Sequence, residues 1–146
     1  MLVAVLALAS TAMAGCSNTV TVTSEPSLTQ HPNCAAVLAA APTYVDGAKR
    51  RAISPTTAAA AAWGRTPIVL HCGVDRPAAL TSTSTLMTIN GVDWFAEQLS
   101  KGYRFTTFKR TPRLQVDVPS AYHPEPLALV DLTHMVNSTT TSTAGF

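Results

Sequence analysis

Four side chains in this 146-residue chain are suited by type to holding a ligand: Trp63, Arg65, Trp94 and Arg104. Indole rings stack on sugar faces, and a planar guanidinium grips a carboxylate or phosphate through paired N–H donors. The competing use of the tryptophans is as core anchors, because the chain holds only two Trp, three Tyr and four Phe. Mutually facing, exposed indoles beside Arg65 or Arg104 would favour binding, and buried ones a structural role. A hydrolytic site would have to be assembled from Ser120, His123 and Asp131, or from Asp117 with Glu125, and nothing in their spacing requires it. The chain lacks a G-x-S-x-G elbow, an H-E-x-x-H pair and a phosphate-cradling glycine loop, the contexts that give such residues a mechanism. No catalytic residue is therefore expected. His31, His71, His123 and His134 lie far apart without paired ligand spacing, so neither a metal nor a cofactor is expected.

The three cysteines divide by context. Leu2 to Ala14 is almost unbroken apolar or small, yet shorter than the roughly 20 residues a membrane-spanning helix needs, which matches the core of an export signal. It ends in Met13-Ala14-Gly15-Cys16, which resembles the lipobox of bacterial lipoproteins, where a diacylglycerol is attached to the cysteine sulfur before cleavage. Leu is commoner where Met13 stands, and no Lys or Arg precedes Leu2. The alternative is an ordinary secretory peptide cut near Ala14. Lipidation of Cys16 would place the protein at the outer face of the cytoplasmic membrane; without it the product is secreted. Cys34 and Cys72 then remain as an even pair in an oxidising compartment, favouring a disulfide. Two buried thiols, or a Cys72 nucleophile served by His71, are the alternatives. The second suffers because adjacent strand residues point to opposite faces.

A formal charge of +2 is too slight and too dispersed for a nucleic-acid partner. Lys49, Arg50 and Arg51 form the one basic cluster that stands out, read as a solvated loop, with anionic headgroups or wall polymers as alternative contacts. The expected partners are the membrane, through the lipid anchor, and an envelope protein or cell-wall glycan.

The elements that must position these residues follow from pattern. Cys34 to Ala41 reads as a short helix stopped by Pro42, and the alanine run Thr56 to Ala62 as a second helix. Pro67 to Cys72 is β-branched and ends on Gly73, a strand. Asn90-Gly91 between Thr85–Ile89 and Val92–Phe95 predicts a hairpin with a type I′ turn. Tyr103–Phe108 and Arg113–Val118 alternate in polarity and form a second antiparallel pair, with Leu114, Val116 and Val118 on one face. Pro126 opens a last helix running to about Val136. The expected fold is a small single α+β domain: an antiparallel sheet of about five strands, two or three short helices and one disulfide. The expected organisation is a signal peptide over 1–15, a flexible tether over 16–32, the folded domain over 33–136 and a disordered tail over 137–146.

Trp63-Gly64-Arg65-Thr66-Pro67-Ile68-Val69-Leu70-His71-Cys72-Gly73-Val74, followed by Asn90-Gly91-Val92-Asp93-Trp94, resembles an uncharacterised family of exported proteins from high-GC Gram-positive bacteria, unknown-function domain family 3515. The likeness runs from about Cys34 through Val118 and takes in Arg51 and the Thr106 to Arg110 stretch; His71 stands where Arg is expected. The resemblance implies an N-terminal lipobox or signal anchor and no assigned activity, several members being encoded beside cell-wall precursor enzymes. The functional expectation is a non-enzymatic structural or adaptor lipoprotein of the envelope. A binding module for a wall glycan or small anionic ligand is the alternative, and a hydrolase the least favoured.

Overall fold

The computed structural model describes residues 18–144. Cys16, the lipidation candidate, and the signal segment 1–15 lie outside the described residues. In chain order the elements are β1 (Thr19–Thr21), α1 (Cys34–Ala40), β2 (Tyr44–Val45), β3 (Ala48–Ser54), β4 (Ala60–Trp63), β5 (Ile68–Cys72) and β6 (Met87–Ile89). They continue with β7 (Val92–Leu99), β8 (Gly102–Thr107), β9 (Arg110–Thr111), β10 (Leu114–Pro119), α2 (Ala128–Thr139) and β11 (Thr141–Ser142).

The α+β expectation with about five strands is overturned: the domain is mostly β. A nine-stranded mixed sheet runs β1-β3-β4-β5-β10-β8-β7-β6 with β2 paired to β3, and β9 and β11 form a small second sheet. The largest single revision is Thr56–Ala62. Its alanines favour helix locally, but Ala60–Trp63 is hydrogen-bonded between β3 and β5, and all four side chains are buried. Helix propensity is a weak prior, worth tenths of a kcal/mol per residue, and two ladders of backbone hydrogen bonds outweigh it.

The hairpin at Asn90-Gly91 forms as expected, joining β6 to β7 with both turn residues at positive φ (48° and 80°). Asp46 and Gly47 repeat that geometry (φ 47° and 72°) between β2 and β3. Alternation on β10 sends Leu114, Val116 and Val118 inward, where they meet Trp63, Trp94 and Phe105 from neighbouring strands. Val37 of α1 and Leu129, Leu132, Met135 and Val136 of α2 close this core. The last helix begins as expected beside Pro126, which sits in a 3-10 turn, Glu125–Leu127, leading into α2.

Both ends of the described chain pair as strands, the first with the large sheet and the last with the small one. Within the stretch expected as a flexible tether, Thr19–Thr21 pairs in parallel with Ala52–Ser54, and Val20 is buried. Within the stretch expected as a disordered tail, α2 continues to Thr139, the Thr139 and Thr140 hydroxyls donate to the Met135 and Val136 carbonyls, and Thr141–Ser142 pairs with β9. Threonine carries no amphipathic signal there, but its hydroxyls add a second donor to carbonyls of the last helical turn, the Val136 carbonyl also accepting from the Thr140 N–H.

The basic cluster is not a loop. Lys49, Arg50 and Arg51 lie within β3, and Arg50 donates to the carbonyls of Leu38 and Ala41, each at 3.0 Å, at the C-terminal end of α1. A cation there meets the negative end of the helix and adds charge-assisted hydrogen bonds to the carbonyls that close it. Arg51 donates to Asn18 O (3.0 Å) and Gly64 O (2.9 Å). Arg50→Ala is expected to lower the unfolding free energy by about 2 kcal/mol, the scale of charge-assisted hydrogen bonds. Urea denaturation checks this; an unchanged midpoint would show that water replaces the guanidinium without loss.

Candidate functional site

The four predicted ligand-binding residues are not brought together. Trp63 and Trp94 are fully buried on the helix-covered face, and the Trp63 indole N–H donates to Pro42 O at 2.8 Å. Arg104 lies on the other face, because its neighbour Phe105 points into the core. It makes a two-pronged contact with Asp117, Nε to Oδ1 and Nη2 to Oδ2, both 2.8 Å. Arg65 is exposed in the turn between β4 and β5. The scattered hydrolytic candidates are also engaged separately: His123 faces Glu125 at 3.0 Å, Asp131 accepts from the Asp46 N–H at 2.8 Å, and Asp117 holds Arg104. Among the described residues no three His, Cys, Asp or Glu side chains gather as a metal would require.

The Cys34–Cys72 disulfide is present, with Cα atoms 5.8 Å apart, and ties the first turn of α1 to the end of β5. His71 is paired with Gln115 on the sheet face opposite Cys72, as strand alternation requires. Burial pushes its imidazole below the usual histidine range, so it is neutral at pH 7.

Beside that disulfide three segments meet around a cleft. Gln30 to Asn33 precede α1, Gly73 to Asp75 follow β5, and Arg110 to Arg113 carry the chain from β9 into β10. Together they line a cavity of about 320 Å³. A smaller one of about 100 Å³ adjoins it, lined by Arg76, Lys109, Thr107 and Phe108, and Arg113 lines both. On the other side a third, of about 530 Å³, shares Gln30, His31 and Gly73 to Asp75 with the first and adds Glu25 and Pro26.

Local backbone chemistry explains how these walls hold. Gly73 has φ +82°, and a Cβ there would lie 2.5 Å from the His31 ring, so only glycine lets that imidazole pack against the strand end. The N–H groups of Gly73 and Val74 donate to Arg113 O at 2.8 and 3.3 Å, fastening the second wall to the third. Arg110 donates to Asn137 Oδ1 at 2.8 Å, which fixes its position against α2. Arg113 Nε is buried without a hydrogen-bond partner. Lys109, Arg110 and Arg113 make no ion pair with a carboxylate among the described residues. The arrangement is a cationic recess, of a charge suited to a carboxylate or phosphate.

Lys109 occupies the left-handed region, φ 50°, which costs an L-residue roughly 1–2 kcal/mol, and its ammonium lies 5.3 Å from the Phe108 ring centroid. Lys109→Gly relieves the backbone as it removes the ring contact, whereas Lys109→Ala keeps the Cβ and loses the contact. The glycine variant is therefore expected to be the more stable by about 1 kcal/mol in chemical denaturation. Equal stabilities would mean that the turn relaxes out of the left-handed region.

Sequence reading missed this cleft. Its signal was Lys109-Arg110-Thr111-Pro112-Arg113, three cations in five residues on a proline turn, less dense than the three consecutive cations Lys49–Arg51. Those two runs differ in what surrounds them: one is spent on backbone carbonyls, and the other faces a cavity.

A mostly β domain, stapled by one disulfide and open to solvent at a cationic recess, is the class that this architecture defines. A family model described as Protein of unknown function (DUF3515) matches residues 1–144, and the chain belongs to that family. The match is wider than the Cys34 to Val118 span that carries the resemblance. No curated protein and no solved structure matches the chain.

Proposed function

We propose that this is an exported envelope protein, tethered through a lipid on Cys16, whose folded part binds an anionic group presented in the envelope. The observation that supports binding is Arg113: it lines two adjoining cavities, its Nε is buried and unpartnered, and Arg76, Lys109 and Arg110 stand around it. The buried tryptophans withdraw sugar stacking from the binding reading, so recognition by charge replaces recognition by stacking.

Titration with inorganic phosphate, followed by amide chemical shifts, is the test. Saturable shifts confined to Gly73–Arg76 and Lys109–Arg113 are expected, weakened by salt and at least tenfold weaker in Arg113→Gln. Shifts that never saturate, or that survive unchanged in Arg113→Gln, would refute the site. The anchor is tested separately by mass spectrometry of the mature protein, where an unmodified peptide spanning Ala14 to Cys16 would refute lipidation.

The adaptor reading is favoured by a different observation: Leu127 and Val130 are 53% and 45% exposed at the start of α2, an apolar pair facing solvent. A photocrosslinker at position 127 that captures a defined envelope protein would support it, and labelling by lipid or glycan alone would not.

A further inference from the structure

The cleft is charged unequally along its length. One end holds Arg110 and Arg113, with Lys109 and Arg76 beyond them in the smaller adjoining cavity. At the other end Asp75 lines both larger cavities and Glu25 lines the outer one. Between these ends the walls carry two carboxamides, Gln30 and Asn33. Asn33 precedes α1 without making a side-chain cap bond to the helix. The Gln30 side-chain carbonyl accepts from the Ser27 N–H and hydroxyl, and its NH₂ has no acceptor among the described residues. A carboxamide offers one donor and one acceptor face, the complement of a peptide bond.

We propose that the cleft takes a short, extended peptide with both ends free. Its C-terminal carboxylate lies against Arg113 and Arg110, its backbone passes the Gln30 and Asn33 amides, and its ammonium faces Asp75 and Glu25. This rests on the anion-binding reading above and narrows it to one ligand class. Two physical points favour a peptide over an inorganic or polymeric anion. A polyanion would place its second charge near Asp75 and Glu25, where like charges repel. A lone phosphate would use the cationic end and leave the two larger cavities unfilled, although their volumes of about 320 and 530 Å³ fall in the range of small-ligand pockets.

The experiment uses trialanine as probe, with its N-acetyl form, its C-terminal amide and inorganic phosphate as comparisons, each titrated against the folded protein by amide chemical shifts. Trialanine is expected to bind with shifts at Gln30–Asn33, Gly73–Asp75 and Arg110–Arg113. Acetylating the amine, or amidating the carboxylate, is expected to weaken it at least tenfold. Asp75→Asn should erase the penalty for acetylation and leave phosphate binding intact, whereas Arg113→Gln should weaken both probes. Phosphate binding with no response to trialanine, or equal binding of trialanine and its N-acetyl form, would overturn the peptide proposal and leave the anion site standing. Failure of phosphate and trialanine alike would overturn both. Asp75 is exposed, so its isosteric replacement leaves the fold available for measurement.

Discussion

Trp63→Ala is expected to lower the unfolding free energy by about 3–5 kcal/mol, the range for deleting a large buried aromatic. The indole is fully buried in β4, between β3 and β5 and beneath the helices, and its N–H donates to Pro42 O at 2.8 Å. Alanine removes the packing, opens a cavity and strands the Pro42 carbonyl. Trp63→Phe keeps most of the apolar volume and loses only the hydrogen bond, so about 1–2 kcal/mol is expected. Equilibrium denaturation of the two variants separates the contributions. The same pair distinguishes anchor from ligand platform, because phosphate affinity of the folded Phe variant should equal that of the parent. A stability loss under about 1 kcal/mol for Trp63→Ala would mean that the indole does not hold the core.

Replacing both Cys34 and Cys72 by alanine is expected to cost about 4 kcal/mol, because the bridge closes a loop across a sequence separation of 38. Both sulfurs are fully buried, and alanine avoids placing a hydroxyl there. The bridge also joins two walls of the cleft: His31 to Asn33 lead directly into Cys34, and Gly73 follows Cys72. Reduction is therefore expected to weaken phosphate binding as well as to lower the melting temperature. Calorimetry with and without reductant measures the first effect on stability, and the phosphate titration measures the second on binding. A midpoint unchanged by reduction would show that packing alone holds α1 against β5.

What was legible in the sequence was local. Asn90-Gly91 demanded positive φ and formed its hairpin; Leu114, Val116 and Val118 alternated and faced inward; Pro42 stopped α1. What was illegible depended on partners distant in the chain. Ala60–Trp63 became a strand because β3 and β5 flank it, and Thr19–Thr21 joined the sheet through Ala52–Ser54. The alanine run carries no alternation, whereas Thr19-Val20-Thr21-Val22-Thr23 does alternate, but so short and hydroxyl-rich a run reads as a tether. Asp46-Gly47 held the same turn signal as Asn90-Gly91, but the strand before it, β2, is two residues long and offers no alternation to notice. The two tryptophans were legible as large planar groups, yet only register decides which face each occupies. The cleft draws on three stretches separated by tens of residues, so no motif could announce it; Lys109 to Arg113 was its nearest trace.

The parallel pairing of β1 with β3 bears on where such a domain can travel. Strand β1 begins at Thr19, three positions after Cys16. Fully extended, three residues span at most about 11 Å. A lipid on Cys16, as proposed, would thus moor the sheet by its β1 edge within roughly one domain-thickness of the bilayer, not on a long leash. The protein would then sample only the innermost layer of the envelope, and whatever enters its cleft must be delivered to the membrane surface.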